Sequence, residues 1–286
     1  MRKITEKGRA SPKETKMTEK IKRNERMAVM MQILTSNPNR IFTLSHFCEL
    51  FDAAKSTISE DVALLESAVE RFHLGRLETV TGAAGGVRYR PALNDGGRRA
   101  FIEGVCRKLS DPSRVLPGGI LYYADVLSDP EMAAGMGNLI AGACYGLLPD
   151  FVLTMETKGI PVALMAAHAL GKPLVIARHA IKVYEGSAVN IPYVSASGGI
   201  ETMSLSRRAV ESGKKALIVD DFMRGGGTIN GMKNLMREFN VDIVGVQVVL
   251  AMEDVENRLV EDVRPLMLIG SIRDGEVPSI RPADWI

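Results

Sequence analysis

Residues 217–231 read Leu-Ile-Val-Asp-Asp-Phe-Met-Arg-Gly-Gly-Gly-Thr-Ile-Asn-Gly, and this stretch decides the fold of the larger part of the chain. The apolar run predicts a buried strand with two acids at its carboxyl end. The glycines predict a turn in which successive N–H groups converge on an anion at the start of a helix. In open α/β sheets this edge is where ligands bind. Paired carboxylates beside an anion site suit the hydroxyls of a ribose that carries a phosphate.

The sequence around this stretch alternates helices with apolar strands. Continuous apolar strands separated by helices are typical of a mostly parallel sheet that is buried on both faces. The fold class predicted for this region is therefore α/β. Its predicted strands cover residues 151–155, 173–177, 216–219 and 242–250, and its predicted helices cover residues 160–170 and 229–239.

Composition excludes several classes of protein. The chain has 286 residues, of which 46% are hydrophobic and 24% charged, and this suits one large soluble domain or two modest ones. It has no run of about 18 apolar residues, which excludes a membrane span, and no apolar segment typical of a secretory signal. Its three scattered cysteines predict neither a disulfide framework nor a zinc site, and a cytoplasmic location fits them. No metal-binding residues are predicted.

The net charge of +2 hides an asymmetry along the chain. Residues 1–93 carry 16 Lys and Arg against 11 Asp and Glu, whereas residues 94–286 carry 20 against 23. Much of the basic excess lies in the first 26 residues, where a solvated and disordered tail accounts for it. A basic amino-terminal third also suits a module that binds a polyanion such as DNA.

The amino-terminal third has the pattern of a winged helix-turn-helix. Two helices are predicted from about residue 20 to residue 36 and from 45 to 51, and Thr57 with Glu60 predicts a capping box for a third. Strands at 77–81 and 87–90 around a glycine-rich turn then predict a β-hairpin. Three parts follow from this pattern: a disordered basic tail at 1–19, a winged DNA-binding domain at 20–93 and an α/β domain at 94–286.

The third helix carries most of the residues expected to meet DNA. Its apolar stripe faces the other helices, so the opposite face remains for the groove. In the wing, Arg88 and Arg90 alternate with Val87 and Tyr89, which places both arginines on one face, suited to phosphates or a minor groove. An edge strand protected by charges would show the same alternation. The predicted DNA contacts are Lys55, Ser56, Thr57, Ser59, Arg88 and Arg90.

The stretch at 217–231 resembles the phosphoribosyl-pyrophosphate motif of type I phosphoribosyltransferases. The resemblance implies that the two acids bind the ribose hydroxyls and that the turn binds the 5′-phosphate, while Thr228 is expected to cap the helix. Residues 154–161 resemble the family's diphosphate loop, basic residues follow the next strand, and 184–204 matches the flexible lid. The implied effector-binding residues are Asp220, Asp221, Phe222, Arg224, Gly225, Gly226, Gly227, Thr228, Thr157, Lys158, Gly159, Arg178 and Lys182.

The two parts together resemble the purine operon repressor family, from about residue 22 to about residue 275. Besides the motif, the resemblance rests on segments 54–61, 81–87, 116–119 and 157–161. It implies a type I phosphoribosyltransferase-like domain without catalysis, in a repressor of purine genes that phosphoribosyl pyrophosphate releases from operator DNA. It also implies guanosine tetraphosphate as a second occupant of the pocket. No cofactor is required, and Mg²⁺ is expected only as a companion of the ligand.

Three function classes stay open at this point. The first is a metabolite-sensing repressor, expected as a homodimer because helix-turn-helix regulators bind DNA as symmetric pairs. The second is a purine salvage phosphoribosyltransferase with an accessory amino-terminal domain. Arg224 weakens this hypothesis, because the resemblance puts it where hypoxanthine–guanine enzymes carry an acid. The third is an RNA-binding regulator without catalysis.

Overall fold

The structure is a computed structural model that describes residues 21–82, 85–180, 186–195, 198–253, 255–273 and 276–286. The predicted tail at 1–19 and the predicted ligand contact Lys182 lie outside these ranges. Among the helices in these ranges, none combines the length and the apolar character that crossing a membrane requires.

The first elements form the predicted winged helix-turn-helix, here called the winged module. They are α1 (Arg23–Ser36), α2 (Leu44–Phe51), α3 (Lys55–Arg71), β1 (Arg76–Val80) and β2 (Gly86–Arg90). The strands β1 and β2 pair antiparallel, and Phe42 extends this small sheet by bridging to Val87. The apolar stripe of α3 packs into a core with Met30, Leu34 and Phe47, as the periodicity predicts.

The predicted capping box at the start of α3 is wrong. The helix begins at Lys55 after Ala54, which makes no side-chain cap, so Thr57 already lies inside the first turn. Glu60 instead accepts a hydrogen bond from Arg23 of α1 at 2.8 Å. The acid that looked like a local cap therefore connects two helices of the winged module.

The remaining elements form the second unit, here called the sheet domain. Its helices are α4 (Asp95–Leu109), α5 (Ala124–Ser128), α6 (Pro130–Cys144), α7 (Ile160–Leu170) and α8 (Gly227–Glu238). Its strands are β3 (Val115–Leu116), β4 (Ile120–Leu121), β5 (Phe151–Met155), β6 (Leu174–Ala177), β7 (Ala188–Val194), β8 (Ile200–Ser206), β9 (Lys215–Met223), β10 (Asp242–Met252), β11 (Arg264–Ile269) and β12 (Ile280–Pro282).

A six-stranded sheet organises this domain in the order β12-β11-β10-β9-β5-β6. Five strands are parallel and β12 alone in this sheet runs antiparallel at the edge, which confirms the predicted mostly parallel sheet. Alternate residues of the strands pack into two hydrophobic cores, one on each face of the sheet. Leu217 and Val219 pack with α4 to α7, whereas Ala216 and Ile218 pack with α8 and the β7–β8 hairpin. The sheet is thus covered on both faces, as its continuous apolar strands require.

Candidate ligand site and DNA-binding face

The two acids of the motif lie inside β9 rather than after it. The strand continues to Met223, and Asp220 pairs in register with Val248 of β10. On the other side, pairing with β5 ends at Ile218, opposite Leu153. The acids therefore stand where β9 has separated from β5, at the carboxyl edge of the sheet. This corrects the predicted end of the strand and keeps the predicted position of the site.

Asp220 is a buried carboxylate with an unusual environment. It is 4% exposed, and its Oδ1 accepts the Asp221 N–H at 3.0 Å. Burial and the neighbouring Asp221 carboxylate raise the pKa of Asp220 well above its ordinary value, because both disfavour the charged form. A buried carboxyl group with a strongly raised pKa is typical of a functional site.

Tyr123 connects the acids to the diphosphate loop. Its hydroxyl donates to Asp221 Oδ2 at 2.6 Å, and burial together with Asp221 raises the pKa of this phenol. Its ring stacks on Phe222 with centroids 6.1 Å apart, and the Lys158 ammonium lies 4.9 Å from its centroid. Sequence reasoning missed Tyr123, although it lies four residues beyond the segment 116–119 that carries part of the family resemblance.

The glycine-rich turn forms a concave surface at the start of α8. Gly226, at a φ of +82°, precedes the helix, which begins at Gly227. A Cβ at Gly227 would lie 1.9 Å from the Val194 carbonyl oxygen, so only glycine fits there. The predicted cap is wrong, because Thr228 lies within the first turn and makes no capping bond. Residues 224–228 line a cavity of about 340 Å³ with Val194, Val255 and Leu259.

The predicted diphosphate loop lies against the acids. Thr157 and Lys158 are exposed, whereas Gly159 is buried and precedes α7. A Cβ on Gly159 would stand 3.1 Å from Asp220 Oδ1 and 2.9 Å from Thr154 Oγ1. A larger residue at this position would require Thr154 or Asp220 to shift. These two predicted segments are far apart in the chain, and the structure brings them together because they follow or belong to the neighbouring strands β5 and β9.

Arg178 lies beside the predicted lid and lines a different cavity from the one at residues 224–228. Arg178 follows β6, and its backbone pairs in both directions with Ser204 of β8 at 2.7 and 2.9 Å. Within the predicted lid at 184–204, the described residues form the antiparallel hairpin of β7 and β8. This hairpin packs on α8 through Tyr193 and Met203, beside Gly231.

The amino-terminal end of α3 is the candidate DNA-binding face. Lys55, Ser56 and Ser59 are exposed there, and Thr57 is half-buried. Hydroxyls and an ammonium at the start of the third helix suit contacts to base edges and phosphates. Their role in DNA binding stays a prediction.

The wing arginines Arg88 and Arg90 make contacts within the protein. Both ion-pair with Glu78 at 2.9 Å, and the Arg90 guanidinium lies 4.3 Å from the ring centroid of Tyr145 in the sheet domain. Their shared face is therefore turned inward. The single Glu78 carboxylate balances only one of the two guanidinium charges, and the contacts of Arg88 and Arg90 to DNA stay a prediction.

Asp220→Asn should raise the free energy of unfolding by about 1–3 kcal/mol at pH 7, because it removes a buried charge and keeps an oxygen for the Asp221 N–H. Since folding raises the pKa of Asp220, the folded wild type takes up its proton first as the pH falls. The advantage of the variant should therefore shrink from neutral pH toward about pH 4, the ordinary aspartate value. Urea unfolding at several pH values measures this difference, and a variant no more stable than wild type at pH 7 would contradict it.

Two family models match the chain. The bacterial purine repressor amino-terminal model covers residues 22–91, and the phosphoribosyl transferase domain model covers residues 126–265. The first range corresponds to the winged module and the second to the sheet domain with its ligand edge.

Curated relatives cover most of the chain. It is 41% identical over 254 residues to the purine biosynthesis transcriptional repressor PurR of Bacillus subtilis, which covers 88% of this chain and 89% of that protein. It is 37% identical over 253 residues to the purine biosynthesis transcriptional activator PurR of Lactococcus lactis, covering 88% and 93%. The xanthine phosphoribosyltransferase of Geobacillus thermodenitrificans is 33% identical over 151 residues, covering 51% of this chain and 78% of that enzyme.

Similarity to the first two proteins includes both the winged module and the sheet domain, whereas similarity to the enzyme covers about half of the chain. The two family models and the relatives that match most of the chain indicate the same order of units, a purine repressor amino-terminal module followed by a phosphoribosyl transferase domain. The chain therefore belongs to the bacterial purine repressor family.

Proposed function

We propose that this protein is a transcriptional repressor of purine genes that binds operator DNA through the winged module and is released by phosphoribosyl pyrophosphate. One observation carries the proposal: a winged helix-turn-helix and a domain that matches the phosphoribosyl transferase model occur in one chain. A pocket of this kind gives a DNA-binding protein a means of sensing a metabolite. A cytoplasmic location follows from a DNA target in a bacterial cell.

Each part of the ligand has a counterpart in the site. Asp220 and Asp221 are expected to accept the ribose hydroxyls, and the N–H groups of residues 225–228 suit the 5′-phosphate at the start of α8. Lys158 and the backbone of residues 157–159 suit the diphosphate. The family resemblance adds Arg178 as a further contact to the diphosphate. Guanosine tetraphosphate, which also carries a ribose and diphosphates, is a second candidate for this pocket.

Mg²⁺ fits this site as a partner of the ligand. The described residues contain no group of three or more His, Cys, Asp or Glu side chains suited to a metal ion. Mg²⁺ usually binds through one or two carboxylates together with phosphate oxygens. Asp220 and Asp221 could supply the protein's share, and the ion would neutralise part of the diphosphate charge.

A purine salvage transferase is the second candidate, favoured by the partial match to xanthine phosphoribosyltransferase. Against it, Arg224 occupies the motif position where hypoxanthine–guanine enzymes carry an acid. We expect no formation of mononucleotide when the protein is incubated with phosphoribosyl pyrophosphate, Mg²⁺ and each purine base. Diphosphate release in proportion to protein concentration would replace the repressor proposal with the enzyme.

The direction of regulation needs its own test, because the relatives include both a repressor and an activator. We expect deletion of the gene to raise expression of a reporter that carries a purine-gene upstream region. Lower expression after deletion would assign the protein to the activators. In both cases the expected DNA-binding form is a homodimer on a two-fold symmetric site.

Lys55→Ala should weaken DNA binding and flatten its dependence on salt. If Lys55 contacts one phosphate, the slope of log K against log salt should fall by about one unit. Lys108→Ala is the matched control, since Lys108 is an exposed lysine on α4 of the sheet domain. Anisotropy titrations of operator DNA at several salt concentrations measure both slopes. Equal slopes for Lys55→Ala and wild type would remove Lys55 from the interface.

A further inference from the structure

We propose that α7 is the element through which the ligand site acts on the winged module, with the diphosphate loop at its first turn and the winged module bonded to its last. This inference rests on the proposed function. It adds a route by which a displacement of α7 reaches the winged module. It also assigns Asn39 and Tyr145, outside the ligand site, as the residues whose contacts pass on this displacement.

The amino-terminal end of α7 belongs to the ligand site. Gly159 directly precedes the helix, and a Cβ there would lie 2.9 Å from Thr154 Oγ1 and 3.1 Å from Asp220 Oδ1, so the first turn of α7 is in close contact with the acids. Lys158 lies over the ring of Tyr123, which is itself bonded to Asp221. A ligand that binds between the loop and the acids must therefore contact the first turn of α7 and can displace it.

The carboxyl-terminal end of α7 belongs to the domain junction. The Leu170 carbonyl, one of those that a helix end leaves without an intrahelical partner, accepts a hydrogen bond from Asn39 Nδ2 at 2.8 Å. Asn39 stands in the left-handed region at a φ of +60°, and its Oδ1 accepts from Arg90 Nε at 2.9 Å. One side chain thus joins the end of α7 to the wing.

The fit at this junction leaves little room for independent movement. A Cβ on Gly171 would lie 2.8 Å from the Pro38 carbonyl oxygen, so the two backbones are almost in contact. Beside them, Arg90 lies over the ring of Tyr145, and the Tyr145 hydroxyl donates to Pro91 O or Ala169 O at 3.4 Å. A shift of α7 must therefore move Pro38 and Asn39 or break their contacts.

The helix between the two ends is suited to transmit such a shift. It has 11 residues, which corresponds to roughly 16 Å of axis at 1.5 Å per residue. Its buried residues pack in the core against α6, so the helix moves as one packed body; they include Val162, Ala163, Ala166, Ala167 and Ala169. The second ligand-facing helix, α8, is followed by Asn240, whose side chain bonds to Ser212 of the same domain.

Asn39→Asp tests this route in the full-length protein. Aspartate keeps the left-handed conformation and the acceptor for Arg90, but it loses the donor to Leu170 and places a carboxylate against that carbonyl. Asn240→Asp is the matched control: Asn240 also has a positive φ, of 54°, and its Nδ2 donates to Ser212 Oγ at 2.8 Å. For each variant, the affinity for phosphoribosyl pyrophosphate with Mg²⁺ is measured with and without saturating operator DNA.

The wild-type ratio of these two affinities is expected within about 5–150-fold, the usual range of allosteric coupling, and Asn240→Asp should keep it. Asn39→Asp should reduce the ratio to less than about threefold while both binary affinities stay near wild type. An unchanged ratio in Asn39→Asp would overturn the α7 route. A wild-type ratio of one would instead overturn the proposed function.

A pair of substitutions at Tyr145 keeps the test decisive if Asn39→Asp weakens folding. Tyr145→Phe preserves the ring under the Arg90 guanidinium, whereas Tyr145→Leu removes it. The expected result is wild-type coupling in Tyr145→Phe and reduced coupling in Tyr145→Leu, with ligand affinity in the absence of DNA unchanged in both. Equal coupling in all three proteins would contradict the role of this junction.

Discussion

Replacing Asp220 and Asp221 together with alanine should abolish the response to phosphoribosyl pyrophosphate and leave operator binding intact. Under the proposed function each acid accepts a ribose hydroxyl, and a hydrogen bond to a charged group contributes about 1.5–3 kcal/mol. Loss of both hydrogen bonds should therefore reduce the affinity for the ligand by about 10²- to 10⁴-fold. The winged module, whose core contains neither acid, should keep its fold and its affinity for DNA.

Calorimetric titration of the ligand measures this loss. Glu211→Ala with Asp242→Ala is the control, because it removes the same charge from exposed acids at the opposite, amino-terminal edge of β9 and β10. The control should bind the ligand like wild type. Undiminished affinity in the Asp220 and Asp221 variant would place the ligand elsewhere.

The second large effect is expected in the winged module, where Asp61→Ala should lower the free energy of unfolding by about 3–5 kcal/mol. Asp61 is fully buried in α3, and Arg26 of α1 is 7% exposed and ion-pairs with it at 2.8 Å. Alanine would leave the Arg26 guanidinium buried without its counter-charge. The variant should therefore lose DNA binding, while the sheet domain keeps its affinity for the ligand.

Urea unfolding followed by helical circular dichroism measures the loss, with Asp95→Ala as the control. Asp95 pairs with Arg98 but is 92% exposed, and such surface pairs contribute only about 0–1 kcal/mol. The double variant Arg26→Met with Asp61→Leu should recover most of the stability, because replacing a whole buried pair by apolar groups is often neutral. A stable winged module in Asp61→Ala would contradict the assigned role of the pair.

The sequence predicts four of the five parallel strands and the helices α7 and α8, because these strands are continuous apolar runs separated by helical segments. It does not predict α4 to α6, the β7–β8 hairpin, β11 or β12. The acids also mark a candidate ligand edge in the sequence, since two adjacent acids are unfavourable after an apolar run unless they bind something there. Helix starts could not be predicted as well. Thr57 and Thr228 look like caps in the sequence, but each lies within a first turn, because the helices begin at Lys55 and Gly227.

Long-range partners account for the remaining differences. The pattern around Arg88 and Arg90 places them correctly on one face, but it does not indicate that Glu78 and Tyr145 lie on that face. Tyr123 belongs to the site only because the fold brings together two residues that are 98 positions apart in the chain, Tyr123 and Asp221. Such pairings depend on the arrangement of whole elements, which local periodicity does not determine.

The central claim is that the pocket and the winged module form one sensor. Its most direct measurement is the affinity of the protein for purine-gene operator DNA, by fluorescence anisotropy at fixed salt and Mg²⁺, with and without phosphoribosyl pyrophosphate. We predict that the ligand weakens the DNA complex, and that operator DNA weakens ligand binding by the same factor. Equal DNA affinity in the presence and absence of the ligand would contradict it.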